Sequence, residues 1–178
     1  IGESRIQEVE KKNKIFRERN KIELHLIGHL QKNKVKKAVQ YFDVIQTIDS
    51  IDLLTKINKI ARAKQIKQKV FFQVNIAKDP KKFGFNEKTA LKAAELSLEY
   101  NNILLFGIMT IPPKDQSTKA RAATYKQTKN LQEKIKNQIN KDCKFLSMGM
   151  SNDYEIAIKE GATHLRIGTA LFGKRLSK

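Results

Sequence analysis

Short apolar runs alternate along the chain with longer segments in which apolar and polar residues recur at helical spacing. Several runs are rich in Val, Ile, Leu and Phe, which is typical of strands covered on both faces of a sheet. The longer segments place apolar residues three and four positions apart, as an amphipathic helix does. The pattern predicts strands at Glu23–Ile27, Val44–Thr47, Val70–Asn75, Leu104–Met109, Phe145–Ser147 and His164–Ile167.

Capping residues indicate where the intervening helices begin. Ser50, Asn86 and Ser151 each offer a side-chain oxygen to the free N–H groups of a first helical turn, and another helix is predicted from about Lys119. Gly161 is placed to end the helix that follows Ser151, in a left-handed conformation. The inward-facing stripes are predicted to be Leu53, Leu54, Ile57, Ile60 and Ala61, then Ala90, Ala93, Ala94 and Ser97, then Leu131, Ile135 and Ile139.

The alternation of strands and helices favours a parallel sheet with right-handed crossovers. An open doubly wound sheet would hold phosphate with a Gly-x-Gly-x-x-Gly turn, which the sequence lacks. Its glycines instead follow strand ends singly, which suits a barrel that builds its site from several strand ends. We therefore predict an α/β fold of the TIM-type (β/α)8 barrel class, in one domain over residues 1–178. The glycines in question are Gly28, Gly84, Gly107, Gly149 and Gly168.

The number of strands falls short of a complete barrel. Six strands are clear, and Ile1–Gly2 is interpreted as the tail of another. An eight-stranded barrel takes roughly 200–250 residues, whereas the sequence has 178 and begins with Ile. We therefore expect the barrel to be incomplete at its N-terminus, with a βα portion missing.

Composition narrows the function classes without identifying one. Hydrophobic residues make up 40% of the chain. No apolar run approaches the roughly 18–20 residues that cross a bilayer, and charges occupy the segment where a signal peptide would be apolar. Cys143 is the one cysteine, and it has no His or Cys partners at metal-ligand spacing. We expect a cytoplasmic protein without a metal site or a membrane partner, and nothing in the sequence requires more than a monomer.

The formal net charge of +18 admits two interpretations. A basic chain can bind nucleic acid through counterion release. The lysines, however, are spread over the polar faces of several predicted helices, and no recognition motif accompanies them. Solvated helix surface is therefore the favoured interpretation and no nucleic-acid partner is expected, with a basic nucleic-acid-binding module kept as an alternative.

Two turns in the C-terminal third carry the strongest chemical signal. In the first, over residues 147–153, Gly149 permits close backbone approach and Ser151 offers a hydroxyl at a helix N-terminus, where free N–H groups favour an anion. The next strand ends at Arg166, and Gly168-Thr169 then opens a short helix with a second set of free N–H groups. Barrels commonly hold phosphate with the loops after their last two strands, so the two turns predict a phosphate site.

These turns, together with further segments, resemble the pyridoxal phosphate homeostasis protein family. Its members are small single-barrel relatives of the N-terminal domain of alanine racemase. Because several long motifs match in the correct order, the resemblance is more specific than any one of them. The segments that carry it are Ile1–Ser4, His25–Lys34, Asp43–Asp49, Gln73–Ile76, Lys82–Gly84, Gly107–Pro112, Ser147–Asp153, Gly161–Thr163 and Arg166–Gly173.

The resemblance implies a protein that binds pyridoxal 5′-phosphate (PLP) and carries or buffers it inside the cell without turnover. Ser151, Gly168 and Thr169 would hold the phosphate, and Arg166 would face the pyridine nitrogen. A cation there disfavours protonation of the nitrogen and weakens the ring as an electron sink. The other implied site residues are Met148 and His25 beside the ring, Ser4 at a turn near the cofactor, and Asn75 in the pocket wall. Asn75 is equally well explained as a hydrogen-bonded strand end.

The sequence departs from the family at two points. The family's Schiff-base lysine lies on the first barrel strand in an Ala-Val-Ser-Lys-like motif, which does not occur here, so no lysine is assigned that role. Ser4 stands where the family has Asn. We therefore expect weak, non-covalent PLP binding and low stability. The implied partners are PLP-dependent apo-enzymes, and the alternative function is a PLP-dependent amino-acid racemase, which would need a second, β-rich domain.

Overall fold

The structure, a computed structural model, describes residues 1–12 and 22–173. Within these ranges seven strands alternate with helices. The strands are β1 (Gly2–Glu3), β2 (His25–Leu26), β3 (Val44–Ile48), β4 (Gln68–Val74), β5 (Ile103–Thr110), β6 (Phe145–Met150) and β7 (His164–Arg166). The helices are α1 (Ile6–Lys11), α2 (Val35–Tyr41), α3 (Ile51–Ala63), α4 (Glu87–Leu98), α5 (Thr118–Gln138), α6 (Tyr154–Lys159) and α7 (Thr169–Phe172), and a 3₁₀ turn at Lys32–Lys34 precedes α2.

All the strands are parallel, and each pairs with the strand that follows it in the chain, from β1 to β7. A doubly wound sheet would reverse its strand order at a switch point. This sheet does not reverse, so the predicted barrel of the TIM type is confirmed. No pairing within residues 1–12 and 22–173 joins β7 to β1, and the barrel is open between them. The carboxyl ends of the strands lie at one rim, where barrels place their sites.

Buried side chains form separate groups on the two faces of the sheet. The larger group packs Leu53 and Leu54 of α3 against strand residues such as Ile45, all of them inaccessible or nearly so to solvent. The smaller group, inside the barrel, includes Val44 and Phe71. Side chains alternate between faces along a strand, so Gln46 shares the interior face with Val44. The barrel interior therefore combines apolar and polar side chains.

Two predicted helix caps are confirmed by their hydrogen bonds. The Ser50 hydroxyl accepts the N–H of Leu53 at 3.4 Å, and the Asn86 side-chain oxygen accepts the N–H of Thr89 at 2.9 Å. The predicted apolar stripes are buried, with Ile60 and Ile139 partly so. Gly161 follows α6 with φ of +93°, in the left-handed region as predicted.

The predicted cap at Ser151 is wrong. Helix α6 begins at Tyr154, with Asp153 in the N-cap position. The Ser151 hydroxyl instead accepts N–H groups from the loop after β7. A tertiary contact therefore takes the oxygen that local capping would have used.

The strand bounds also differ from the predictions, most clearly in β2. Only His25–Leu26 of the predicted Glu23–Ile27 pairs as a strand, opposite the two residues of β1. The N–H of Leu24 donates to the Asp43 carboxylate at 2.7 Å instead of joining a strand ladder. Strand β6, by contrast, extends three residues beyond its predicted end, to Met150.

No helix in the described part of the chain is long and apolar enough to cross a membrane.

Candidate functional site

Two loops meet at the carboxyl ends of β6 and β7. The hydroxyl oxygen of Ser151, in the loop after β6, accepts the backbone N–H of Gly168 at 3.3 Å and that of Ala170 at 3.2 Å. Both donors belong to the first turn of α7, whose N–H groups have no partner within the helix. The two predicted turns are thus brought together as expected, and their hydrogen-bonding groups point toward one another.

The loop after β6 is held in shape by Asp153. Its carboxylate accepts the N–H of Met150 at 2.6 Å, and its own N–H donates to the Met150 carbonyl at 3.0 Å. The Arg121 guanidinium of α5 lies 3.5 Å from the other carboxylate oxygen, and it also donates to the Lys114 and Gln116 carbonyls after β5. Asp153 and Arg121 therefore fix the loop that presents Ser151.

Ser151 and the turn at 168–170 form the predicted phosphate cradle, called the cradle below, and its opposite side is open. A Cβ atom added at Gly168 would meet no atom within 4 Å. Gly168 and its two successors, Thr169 and Ala170, are exposed or partly exposed. The N–H groups of this turn can consequently reach an anion that approaches Gly168 from solvent.

Arg166, the last residue of β7, lies beside the cradle. Its two terminal nitrogens donate to the Ser147 hydroxyl and to the Thr110 carbonyl, each at 2.8 Å. Burial lowers the pKa of Arg166 to about 10, and the nearby Tyr125 and Asp153 oppose this shift. A pKa of about 10 keeps the guanidinium positive at neutral pH, so the structure places a cation next to the two turns that are predicted to bind phosphate.

His25 lies in the barrel interior, away from the two turns. Its ring nitrogens contact the Glu23 carboxylate at 3.0 Å and the Gln46 side-chain amide at 2.8 Å. Its ring centroid is 5.9 Å from that of His164. Burial lowers the pKa of His25, and Glu23 raises it by a smaller amount. His25 is therefore connected to the rest of the site through Gln46.

The structure also gives the surroundings of the other three predicted site residues. Met148 is completely buried in the group that packs against the helices, on the face of β6 opposite Ser147, so its side chain does not reach the interior. Alternation along the strand could have shown this from the sequence. The amide of Asn75 is used by the following loop, where it bonds Asp79 and the Lys82 carbonyl, so its structural interpretation is favoured. Ser4 lies in an exposed bend directly after β1.

Gln46, Arg121 and Thr110 were not predicted as site residues. A glutamine inside the apolar run of β3 was the available signal for Gln46, because buried polar side chains almost always have a specific partner. Arg121 and the Thr110 carbonyl reach the site only because α5 and β5 pack beside β6, and no local pattern predicts that.

Comparisons with known proteins identify the family to which this fold belongs. Residues 1–176 match the family model described as alanine racemase, N-terminal domain. A pyridoxal phosphate homeostasis protein from Aquifex aeolicus is 37% identical over 98% of the chain and 76% of that protein. One from a Synechocystis species is 38% identical over 99% of the chain and 81% of that protein.

Solved structures show the same relationship. PipY of Synechococcus elongatus, solved without PLP, is 32% identical with a TM-score of 0.92, over 97% of this chain and 80% of that one. The same protein with PLP bound gives a TM-score of 0.89 at 31% identity over the same shares. An alanine racemase from Clostridium difficile shares the fold, with a TM-score of 0.73 at 16% identity over 99% of this chain and 45% of that one. By these matches, the chain belongs to the pyridoxal phosphate homeostasis protein family and carries the alanine racemase N-terminal fold.

Proposed function

We propose that the protein binds pyridoxal 5′-phosphate at the carboxyl ends of β6 and β7 and takes part in intracellular PLP homeostasis as a non-catalytic carrier or buffer. One structural observation carries the proposal. The Ser151 hydroxyl and the N–H groups of Gly168 and Ala170 converge beside open space and next to the Arg166 cation. Relatives named as PLP homeostasis proteins, and PipY with PLP bound, support it.

The donor set of this site fits a phosphate group. Phosphate oxygens accept hydrogen bonds, and the N–H groups of Gly168 and Ala170 already point at an oxygen, that of Ser151. A phosphate bound here would accept from these groups, from the Ser151 hydroxyl and from the exposed Thr169. We therefore assign Ser151, Gly168 and Thr169 to phosphate binding.

The charge beside the cradle fits the pyridine ring. Arg166 uses two of its five N–H donors on the protein and remains positive at neutral pH. A positive donor facing the ring nitrogen disfavours its protonation, and the pyridine ring of bound PLP is a weaker electron sink when that nitrogen is unprotonated. A racemase of the same fold shares this setting, so Arg166 fits PLP binding in either function and the racemase assay below separates the two.

In this proposal the protein acts in the cytoplasm, as a monomer, and hands PLP to PLP-dependent apo-enzymes. A transfer assay tests the handover: PLP-loaded protein, separated from free PLP, should restore activity to an apo-enzyme. An alanine racemase assay on the loaded protein tests the absence of turnover, and we expect no racemisation above the rate of free PLP.

Titration with PLP, followed by cofactor fluorescence, tests the binding site itself. Ser151→Ala should raise the Kd about tenfold, because a phosphate hydrogen bond and the ordering of two N–H groups are lost together. Ser97→Ala is the matched control, since the Ser97 hydroxyl donates only to the Ala94 carbonyl inside α4. Absence of saturable binding, or equal Kd values for the two variants, would contradict the proposed site.

A further inference from the structure

A chain of hydrogen bonds crosses the barrel interior from Arg166 to His25. Arg166 donates to the Ser147 hydroxyl at 2.8 Å, and that hydroxyl donates to the Gln46 side-chain oxygen at 2.6 Å. The Gln46 amide nitrogen lies 2.8 Å from Nδ1 of His25, and Nε2 of His25 lies 3.0 Å from the Glu23 carboxylate. Four side chains on β7, β6, β3 and β2 are therefore connected in sequence, and the last of them contacts Glu23.

The donors of this chain all point in one direction. Arg166 and the Gln46 NH2 group can only donate, while the Ser147 hydroxyl has one proton to give. Since Arg166 already donates to Ser147, the hydroxyl proton goes to the Gln46 oxygen. Nδ1 of His25 must then be the unprotonated acceptor, and Nε2 carries the proton that faces Glu23. Changing any one member would require the others to rearrange.

The link between Ser147 and Gln46 spans the interior of the barrel. Strands β4 and β5 separate β3 from β6 in the sheet, and the two residues are 101 positions apart in the chain. Ser147 is completely buried and Gln46 is 3% exposed, so water does not compete for their bond. The Ser147 hydroxyl, which this bond fixes, and the Thr110 carbonyl accept hydrogen bonds from the two terminal nitrogens of Arg166.

We infer that Gln46 and Ser147 are positioning residues that fix the Arg166 guanidinium toward the ring nitrogen of the ligand. This inference rests on the proposed PLP site and adds a selectivity to it. The cradle binds phosphate, whereas the interior chain sets the preference for a ring that has an unprotonated nitrogen. A phosphorylated aromatic aldehyde without that nitrogen would use the cradle alone.

The tautomer of His25 tests the chain directly and needs no ligand. At pH 8, the ¹⁵N chemical shifts of the ring in the wild-type protein should show Nδ1 unprotonated and Nε2 protonated. In Ser147→Ala the Gln46 amide loses its fixed orientation while Glu23 still accepts from Nε2–H, so the Nδ1 shift should move as its bond to Gln46 weakens and the tautomer should stay the same. Ser97→Ala removes a buried serine hydroxyl elsewhere and should leave the shifts unchanged. Protonated Nδ1 in the wild type would overturn the inference, as would unchanged shifts in Ser147→Ala.

Ligand selectivity tests the consequence for binding. The probes are PLP and its analogue in which C–H replaces the ring nitrogen. Wild type should bind PLP about tenfold more tightly, the effect of one hydrogen bond from a charged donor. In Ser147→Ala and in Gln46→Leu the preference for PLP over the analogue should shrink to about twofold or less. The Kd of PLP should rise in these variants, while the Kd of the analogue should stay unchanged. Ser97→Ala should keep the wild-type preference.

The possible outcomes separate this inference from the proposed function. Failure of the wild type to bind either probe would contradict the PLP site, while the tautomer measurement would still decide whether the chain exists. Normal PLP binding with an undiminished preference in both variants would overturn the positioning role and leave the PLP site standing. Loss of affinity for both probes alike would also overturn it, since that pattern indicates general damage.

Discussion

Two glycines with nearly the same φ angle provide a test of packing around the loop that presents Ser151. Gly149, in β6 just before Ser151, has φ of +94°, and Gly161, after α6, has φ of +93°. An alanine at either position takes on the strain of a positive φ, about 1–2 kcal/mol for a left-handed conformation. The two variants differ further in the surroundings of the new methyl group.

The surroundings differ sharply. A Cβ at Gly149 would lie 2.6 Å from the Ala157 Cβ and 3.0 Å from a Leu165 methyl carbon, whereas at Gly161 the nearest atom is a Lys129 side-chain carbon at 3.6 Å. Overpacking of a buried position costs about 1–3 kcal/mol beyond the backbone strain. We therefore expect Gly149→Ala to be less stable than Gly161→Ala by about 2 kcal/mol, or roughly 6 °C in Tm for a chain of this size.

Urea denaturation followed by circular dichroism measures both free energies of unfolding. We expect the Gly149 variant to lose clearly more free energy of unfolding than the Gly161 variant. PLP affinity should fall in the Gly149 variant alone, because β6 leads into the Ser151 loop. Equal losses of stability in the two variants would refute the reasoning, since they would show that backbone strain explains both.

Three further predictions concern buried titratable groups. Burial lowers the pKa values of His25 and His164 below their ordinary value of about 6.5, so the unfolded chain binds more protons near that pH. The free energy of unfolding should be constant with respect to these groups above pH 6.5 and should fall as the pH drops through the folded-state values; a rise in the urea midpoint toward pH 5 would contradict this. The Tyr125 hydroxyl is buried and makes no hydrogen bond of normal geometry among the described residues. Tyr125→Phe should therefore leave the free energy of unfolding unchanged or raise it by up to about 1 kcal/mol in the same assay. A clear loss of stability would show that the hydroxyl has a partner. Burial raises the pKa of Cys143 to about 12, so a thiol reagent at pH 8 should react with it only after unfolding in urea, and rapid reaction of the folded protein would be inconsistent with its burial.

The parts of this fold that local chemistry controls could be predicted from the sequence. Ser50 and Asn86 satisfy N–H groups only three residues away, and the caps were found for that reason. The parallel sheet followed from the alternation of short apolar runs with amphipathic helices, and the barrel followed from single glycines at strand ends and the lack of a Gly-x-Gly-x-x-Gly turn. The two turns that meet at the candidate site were recognisable because each combines glycine and a hydroxyl at a strand end.

The parts that depend on tertiary contacts could not be predicted in the same way. The role of Ser151 differed from a cap because N–H groups seventeen and nineteen residues away reach its hydroxyl. The Ser147–Gln46 bond exists only once the barrel has curved enough to bring β3 and β6 across from each other. Met148 was assigned to the ring by resemblance, although strand alternation directs its side chain toward the helices.

A crystal structure of the protein soaked with PLP tests the central claim most directly. We predict the phosphate at the N–H groups of Gly168 and Ala170, the hydroxyl of Ser151 and the exposed Thr169, with the ring nitrogen facing the Arg166 guanidinium. PLP bound elsewhere, with these groups unchanged from their present hydrogen bonds, would contradict it, and so would a ring turned so that its nitrogen points away from Arg166.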